Sequence, residues 1–271
     1  LNFNMFYNWL PEQGSQQWLD QRNGIHKDYL DDLIYKKFGV QTKPVTVGGS
    51  EIHKIIRSEY CNDLFKTKTG QNKFTGNLYT RWGKMFEPVV IKYCELLFHT
   101  HITETGALPV LRNQYYQPVA AYSPDGLATI TGQDLIKNFN HVSWINSVQP
   151  NSNYNILFEF KCPFSRPVNG KIKPEYMSQI CMGMNSIPIV DLGIFADAQF
   201  RKCSMQQFDW NTEYCREAFP ADGNNSIQIN QPKALGVIGI YKKSQPVCDC
   251  TTAQQDLSDL INSVYEFWYT T

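Results

Sequence analysis

A short strand that carries two charges constrains this chain more than any other feature. Ile156-Leu157-Phe158-Glu159-Phe160-Lys161 is bulky and apolar enough to be a buried strand. Side chains alternate across a strand, so Glu159 and Lys161 share one face while Phe158 and Phe160 share the other. Charges in such a strand demand a partner or a cation to offset desolvation. Upstream, Ser123-Pro124-Asp125-Gly126 is a tight-turn sequence that delivers another carboxylate. Each part alone is ordinary: a Pro-Asp-Gly surface turn, and a Glu–Lys pair on an edge strand. Together they can hold a hard divalent cation and orient a water, the layout of a metal-dependent phosphodiesterase site. Mg²⁺ takes a few carboxylates and keeps open positions, so Asp125, Glu159 and the backbone carbonyl of Phe160 make a sufficient oxygen set.

Around that strand the pattern is α/β. Helical spacing predicts a helix or a broken pair over 16–38, and a short helix after Gly48-Gly49-Ser50-Glu51 with Ser50 as its cap. The clearest helix covers 78–98, with Trp82, Phe86, Val89, Val90, Tyr93 and Leu97 on one face and Pro88 marking a kink or a later start. Glu87 places a carboxylate on this apolar surface. Val119–Leu127 reads as strand into turn, and the Asn-rich stretch 128–155 as an insertion or hairpin. A helix over 173–185, strand-like runs at 187–200 and 234–242, a loop at 217–231 and a closing amphipathic helix at 252–269 complete the chain. No repeat or linker divides it, so residues 1–271 are expected to form a single domain with a central mixed sheet flanked by helices.

Composition narrows the classes. The chain is 42% hydrophobic, enough for a large core, yet no apolar run approaches the ~20 residues that span a bilayer. Nothing at Leu1–Asn4 resembles a secretory signal, and the start without Met suits a removed upstream segment. Of eight Cys, only Cys248 and Cys250 are close, which argues against a zinc module and for reduced thiols in an intracellular protein. Formal net charge is zero, but its distribution is uneven. Lys66, Lys68, Lys73, Arg81 and Lys84 follow one another with no carboxylate between, as do Lys161, Arg166, Lys171 and Lys173. Both stretches read as basic loops; either alone is by default solvated surface, but two of them beside a carboxylate strand favour the rim of a phosphate-binding site. The Trp and Tyr content suits core packing, and any aromatics exposed near that rim could wedge into or stack on nucleic-acid bases. His99-x-His101 lacks a neighbouring carboxylate pattern and reads as structural, as do Asp191 and Asp197.

These residues also carry a family resemblance. Thr46-Val47-Gly48-Gly49-Ser50-Glu51-Ile52, Arg81-Trp82-Gly83-Lys84-Met85-Phe86-Glu87-Pro88, Ser123-Pro124-Asp125-Gly126-Leu127, Phe158-Glu159-Phe160-Lys161-Cys162-Pro163 and Tyr176-x-x-Gln179 occur in that order. The set resembles the lambda-exonuclease/YqaJ branch of the PD-(D/E)xK nuclease superfamily, which includes viral alkaline exonucleases. It covers roughly residues 43 to 200, within a catalytic core of about 43 to 205 in the mixed-sheet, restriction-endonuclease-like fold. The resemblance implies Asp125 and Glu159 as metal ligands and Lys161 as the water-orienting base or electrostatic stabiliser. It implies Glu87 as support for the metal from the long helix, and Gln179 as positioning the water or the scissile phosphate. Ser50 would bind a terminal 5′ phosphate, with Lys43 where relatives often carry an Arg clamp; Arg81, Lys84 and Arg166 would contact DNA.

The expected activity is that of a Mg²⁺- or Mn²⁺-dependent deoxyribonuclease digesting linear duplex DNA from its ends. The resemblance adds a 5′→3′ direction, a 3′ single strand left for recombination, a ring-shaped homotrimer and a single-strand annealing protein as partner. It also suggests a viral or phage origin, and so the nucleus or cytoplasm of a host cell, without a membrane. An endonuclease or a DNA/RNA nuclease on the same residues is one alternative. A silent nucleic-acid-binding protein that keeps the fold is another.

Overall fold

Alternating apolar residues build the strand on which everything else is hung. The computed structural model describes residues 15–17, 47–57, 61–72, 75–112, 118–166, 168, 172–200, 215–218, 226–231 and 234–242. In chain order it contains β1 (Val47–Gly48), α1 (Ile52–Arg57), α2 (Cys61–Lys68), α3 (Leu78–Phe98), β2 (Leu108–Arg112), β3 (Pro118–Tyr122) and β4 (Gly126–Thr131). There follow α4 (Gly132–Asn138), β5 (Asn153–Lys161), α5 (Pro174–Ser186), β6 (Leu192–Phe200), β7 (Cys215–Ala218), β8 (Ser226–Gln231) and β9 (Ala234–Lys242). Six strands form one sheet in the order β4-β5-β6-β9-β8-β7, and β1-β3-β2 form a smaller one. Only β5–β6 is parallel in the larger sheet, so it is mixed, as expected.

The period of two along β5 divides the core. Ile156, Phe158 and Phe160 join Val90, Cys94, Leu97 and Phe98 of α3 and Leu135 of α4 on one side. Leu157 joins Ile180 and Met184 of α5 with Ile52 and Ile55 of α1 on the other. Glu159 and Lys161 share the parity of Leu157 and rise on that second side, so the strand reading holds.

Several expectations need correction. Residues 128–155 do not form a separate polar insertion. They finish β4, turn through α4 and a 3-10 turn at Ile145–Ser147, and begin β5, with Leu135, Phe139, Val142, Ile145 and Val148 all buried. The polar residues that suggested an insertion lie between those apolar anchors. The hairpin half of that reading survives, because β4 and β5 pair antiparallel from Gly126–Phe158 to Thr131–Asn153. Ser50 is not the cap of α1: Gly48 precedes a 3-10 turn at Gly49–Glu51, and its amide donates to Glu51 Oε2 at 2.8 Å. Helix α3 starts at Leu78 behind an Asn77 cap and runs through Pro88 to Phe98. Val89, placed on its apolar face by sequence, is 51% exposed. Lys66 and Lys68 sit on α2, and Arg81 and Lys84 on α3, rather than in loops. Within the loop expected at 217–231, residues 217–218 belong to β7 and 226–231 to β8, while the residues between them lie outside the described ones.

Lys43, Lys73, Lys171, the helix expected over 16–38 beyond residues 16 and 17, and the helix expected at 252–269 lie outside the described residues. Among the described residues, no helix is long and apolar enough to cross a membrane.

Candidate active site

The end of β5 outruns its neighbour. Pairing with β4 stops at Gly126–Phe158, which leaves the edge of Phe160 without a strand partner on that side. Asp125, held in the turn just before β4, fills the gap: its Oδ2 accepts the Phe160 amide at 2.8 Å. In an extended strand the N–H and C=O of one residue face the same edge, so the Phe160 carbonyl faces the edge where Asp125 stands. Gly126 of the turn serves space rather than backbone freedom. A Cβ there would lie 2.3 Å from Ile102 Cγ2.

Glu159 is fully buried. Its Oε2 accepts the Tyr122 hydroxyl at 2.9 Å, and its Oε1 contacts Lys161 Nζ. That Nζ is also 3.9 Å from Asp125 Oδ2. Burial, then the charge of Asp125, pushes the Glu159 carboxyl up to about 8 against the pull of Lys161. Glu87, on α3, is pushed up to about 7 by burial and then by Asp125. The carboxylates outweigh burial at Lys161 and hold its ammonium above the ordinary range. Burial first, then Glu159, raises Tyr122, so its hydroxyl stays a donor. Four of the sequence-predicted residues, Glu87, Asp125, Glu159 and Lys161, are thus brought within electrostatic reach of one another.

Beside them opens a cavity of about 520 Å³ between α3 and the segment after β5. Lys84, Lys161, Arg166 and Lys173 line it against one carboxylate, Glu87, so its lining suits an anion. Tyr79 and Phe164, also in the lining, meet edge to face at 5.7 Å, and Tyr79 is 58% exposed. Tyr176 lies under three cations: Lys161 at 5.3 Å, Arg166 at 5.6 Å and Lys173 at 5.9 Å from its ring centre.

The other predicted residues are placed less directly. Gln179 is buried on α5 but, among the described residues, has no hydrogen bond to Asp125, Glu159 or Lys161. Ser50 is exposed beside buried Gly49. Arg81 is exposed on α3. Arg166 is committed to a fork with Asp197, at 2.7 and 2.6 Å, and its backbone carbonyl accepts from Gln199. Asp197 pairs beside Lys161 in the β5–β6 register, and burial raises its carboxyl in spite of Arg166. His99 closes α3 in a left-handed conformation and bonds Asp134, whereas His101 bonds Glu95, so the two do not act together.

Sequence reasoning missed Tyr122 as a partner of Glu159, and Asp197 as the anchor of Arg166. The signal for Tyr122 is its place directly before Ser-Pro-Asp-Gly. For Asp197 it is an acid in an apolar strand, opposite a basic loop.

The donor chemistry fits a hard divalent cation. Among the described residues no three His, Cys, Asp or Glu side chains converge to enclose a metal. Mg²⁺ needs no such cage, because one or two carboxylates plus waters and substrate phosphate suffice. Glu87 and Glu159, which burial and then the charge of Asp125 keep uncomfortable as anions, would be relieved by a nearby cation.

A profile of the YqaJ-like viral recombinase domain matches residues 17–186. "Protein D345L" of African swine fever virus, from a Malawi tick isolate, is 28% identical over 226 residues, 81% of this chain and 62% of the relative. The same protein from a South African tick isolate is also 28% identical over 226 residues, 79% of this chain and 61% of the relative. The chain therefore spans about three fifths of the length of the curated relatives it matches. Among solved structures, an alkaline exonuclease from Laribacter hongkongensis has a TM-score of 0.48 at 14% identity, over 94% of this chain and 96% of that one. Its complex with dAMP gives 0.49 at the same identity and coverage. A phage-related exonuclease from Haemophilus somnus gives 0.43 at 13% identity, over 83% and 94%.

Proposed function

The chain belongs to the YqaJ-like viral recombinase domain family, and on that premise we propose that it is a metal-dependent deoxyribonuclease. It digests linear duplex DNA from its ends, 5′→3′, and leaves a 3′ single strand for annealing or recombination. The observation that carries this reading is the convergence of Glu87, Asp125, Glu159 and Lys161 beside a cation-lined cavity of nucleotide size.

Asp125, Glu159 and the Phe160 carbonyl would hold Mg²⁺ or Mn²⁺. The chemistry that a divalent cation supplies there is a more acidic water and compensation for charge developing on the phosphate. Lys161, between two carboxylates, keeps its proton and donates to the attacking water or to the phosphate oxygen. Glu87, with a carboxyl near neutrality, is suited to exchange a proton at the cavity wall. Lys84 and Lys173 offer exposed ammonium groups to the DNA backbone, while Arg166 supports the wall through Asp197. Tyr79 and Phe164 offer ring surface to a terminal base. Ser50, with Lys43, would recognise the 5′ phosphate.

A ring trimer, a single-strand annealing partner and action inside a virus-infected cell belong to the same proposal. The relatives from African swine fever virus support the viral setting.

The test compares linear duplex with covalently closed circles, each with Mg²⁺ and with EDTA, using 5′ and 3′ end labels. Metal-dependent loss of the 5′ label from linear DNA, with circles intact, is the expected result. Cut circles would replace the exonuclease reading with an endonuclease. Loss of the 3′ label first would reverse the direction.

A further inference from the structure

Tyr122 is the last residue of β3, and its side chain is wholly buried. Two glycines close on its ring. A Cβ on Gly49 would lie 2.4 Å from Tyr122 Cδ2, and one on Gly183 of α5 would lie 2.6 Å from its Cε1 and Cζ. Neither site tolerates a larger residue while the ring stays where it is. So clasped, the ring aims its hydroxyl at Glu159 Oε2, 2.9 Å away, while Lys161 meets Oε1. Each oxygen of the carboxylate is therefore fixed by its own donor.

We propose that Tyr122 is a positioning residue that sets the orientation of Glu159 for the divalent cation, and that the Gly49–Gly183 clasp keeps it in place. The inference rests on the metal-dependent reading above. It ties the turn beside Ser50 to the metal ligand through one ring: Gly49 touches Tyr122, and Tyr122 touches Glu159. Two sites that the proposed reaction uses in succession, for the DNA end and for the cation, thus share a rigid spacer. A hydroxyl rather than a second cation suits the role, because it fixes the carboxylate without neutralising it.

The experiment measures Mn²⁺ affinity by titration calorimetry in wild type, Tyr122→Phe and Gly49→Ala, with melting temperature and the Mg²⁺ dependence of cleavage alongside. Tyr122→Phe removes one oxygen and keeps the ring. Loss of one hydrogen bond to a charged group should weaken Mn²⁺ binding roughly tenfold or more. The Mg²⁺ concentration for half-maximal cleavage should rise by a similar factor, with a much smaller change at saturating metal. Gly49→Ala, which displaces the ring without removing the hydroxyl, should shift affinity in the same direction. A merely structural Tyr122 would lower the melting temperature and leave Mn²⁺ affinity unchanged, which overturns the proposal. Unchanged affinity in a folded Gly49→Ala would overturn it even if Tyr122→Phe did not fold. Wild-type protein that binds no Mn²⁺ at all would overturn both this inference and the proposed function.

Discussion

Cation binding to this site should expel protons, and the number can be worked from the structure. Glu159 is buried, with its carboxyl up at about 8, and Glu87 is raised to about 7. At pH 6.5 both are largely protonated, whereas a bound cation favours the anions. Displacement of one to two protons makes the apparent Mn²⁺ dissociation constant fall about ten- to a hundredfold per pH unit there, by linkage. The slope should flatten above pH 8, where the metal-free site has already lost its protons. The same shifts bear on stability. A carboxyl whose folded value is raised contributes stability below its unfolded value of 4.5, and that contribution is lost as pH rises through about 7 and 8. Metal-free protein should therefore melt at progressively lower temperature from pH 5 to pH 8, and Mg²⁺ should restore more at pH 8 than at pH 6. Calorimetric titration of Mn²⁺ at pH 6.5, 7.5 and 8.5, in buffers of differing ionisation enthalpy, counts the protons directly. A pH-independent dissociation constant, with heats that do not depend on the buffer, would refute the reasoning.

Other perturbations have distinct signatures. Asp197→Asn leaves the Arg166 guanidinium without its anion; with only 19% of that side chain exposed, the cost should be about 2–3 kcal/mol in urea unfolding. Gly132→Ala would bring a Cβ 1.9 Å from the Gln149 carbonyl oxygen and should cost about 1–3 kcal/mol, with cleavage per folded molecule unchanged. Gly83→Ala, inside α3 with nothing within 4 Å of the new Cβ, should instead stabilise by about 0.5–1 kcal/mol and raise the melting temperature. Removing the 5′ phosphate from linear DNA should slow digestion; equal rates on phosphate and hydroxyl ends would remove Ser50 and Lys43 from end recognition.

What could be read from the chain alone was what local periodicity encodes. Glu159 and Lys161 share a face because the strand has period two, and that required no tertiary information. Helix α3 and strand β9 likewise follow their apolar patterns, and β9 covers the expected 234–242. Errors arose where long-range packing decides. The Asn-rich stretch 128–155 is polar in composition, yet Phe139 and Ile145 anchor it in a core that also holds Val90, Ile194 and Ile240, far away in sequence. Ser50 matches a cap by type, but the 3-10 turn moves the cap to Gly48. Val89 has the spacing of a core residue and still faces outward. Arg166 reads as a free cation until β6 brings Asp197 beside it. Tyr122 lies 37 positions before the carboxylate it holds, too far for any local pattern to connect them.

The most direct test of the account is Mg²⁺-dependent cleavage of linear duplex DNA by wild type and by Asp125→Ala. The wild type should release nucleotides with Mg²⁺ and none with EDTA, and Asp125→Ala should fold, bind DNA and release none. Cleavage by Asp125→Ala at the wild-type rate would show that the reaction takes place elsewhere in the molecule.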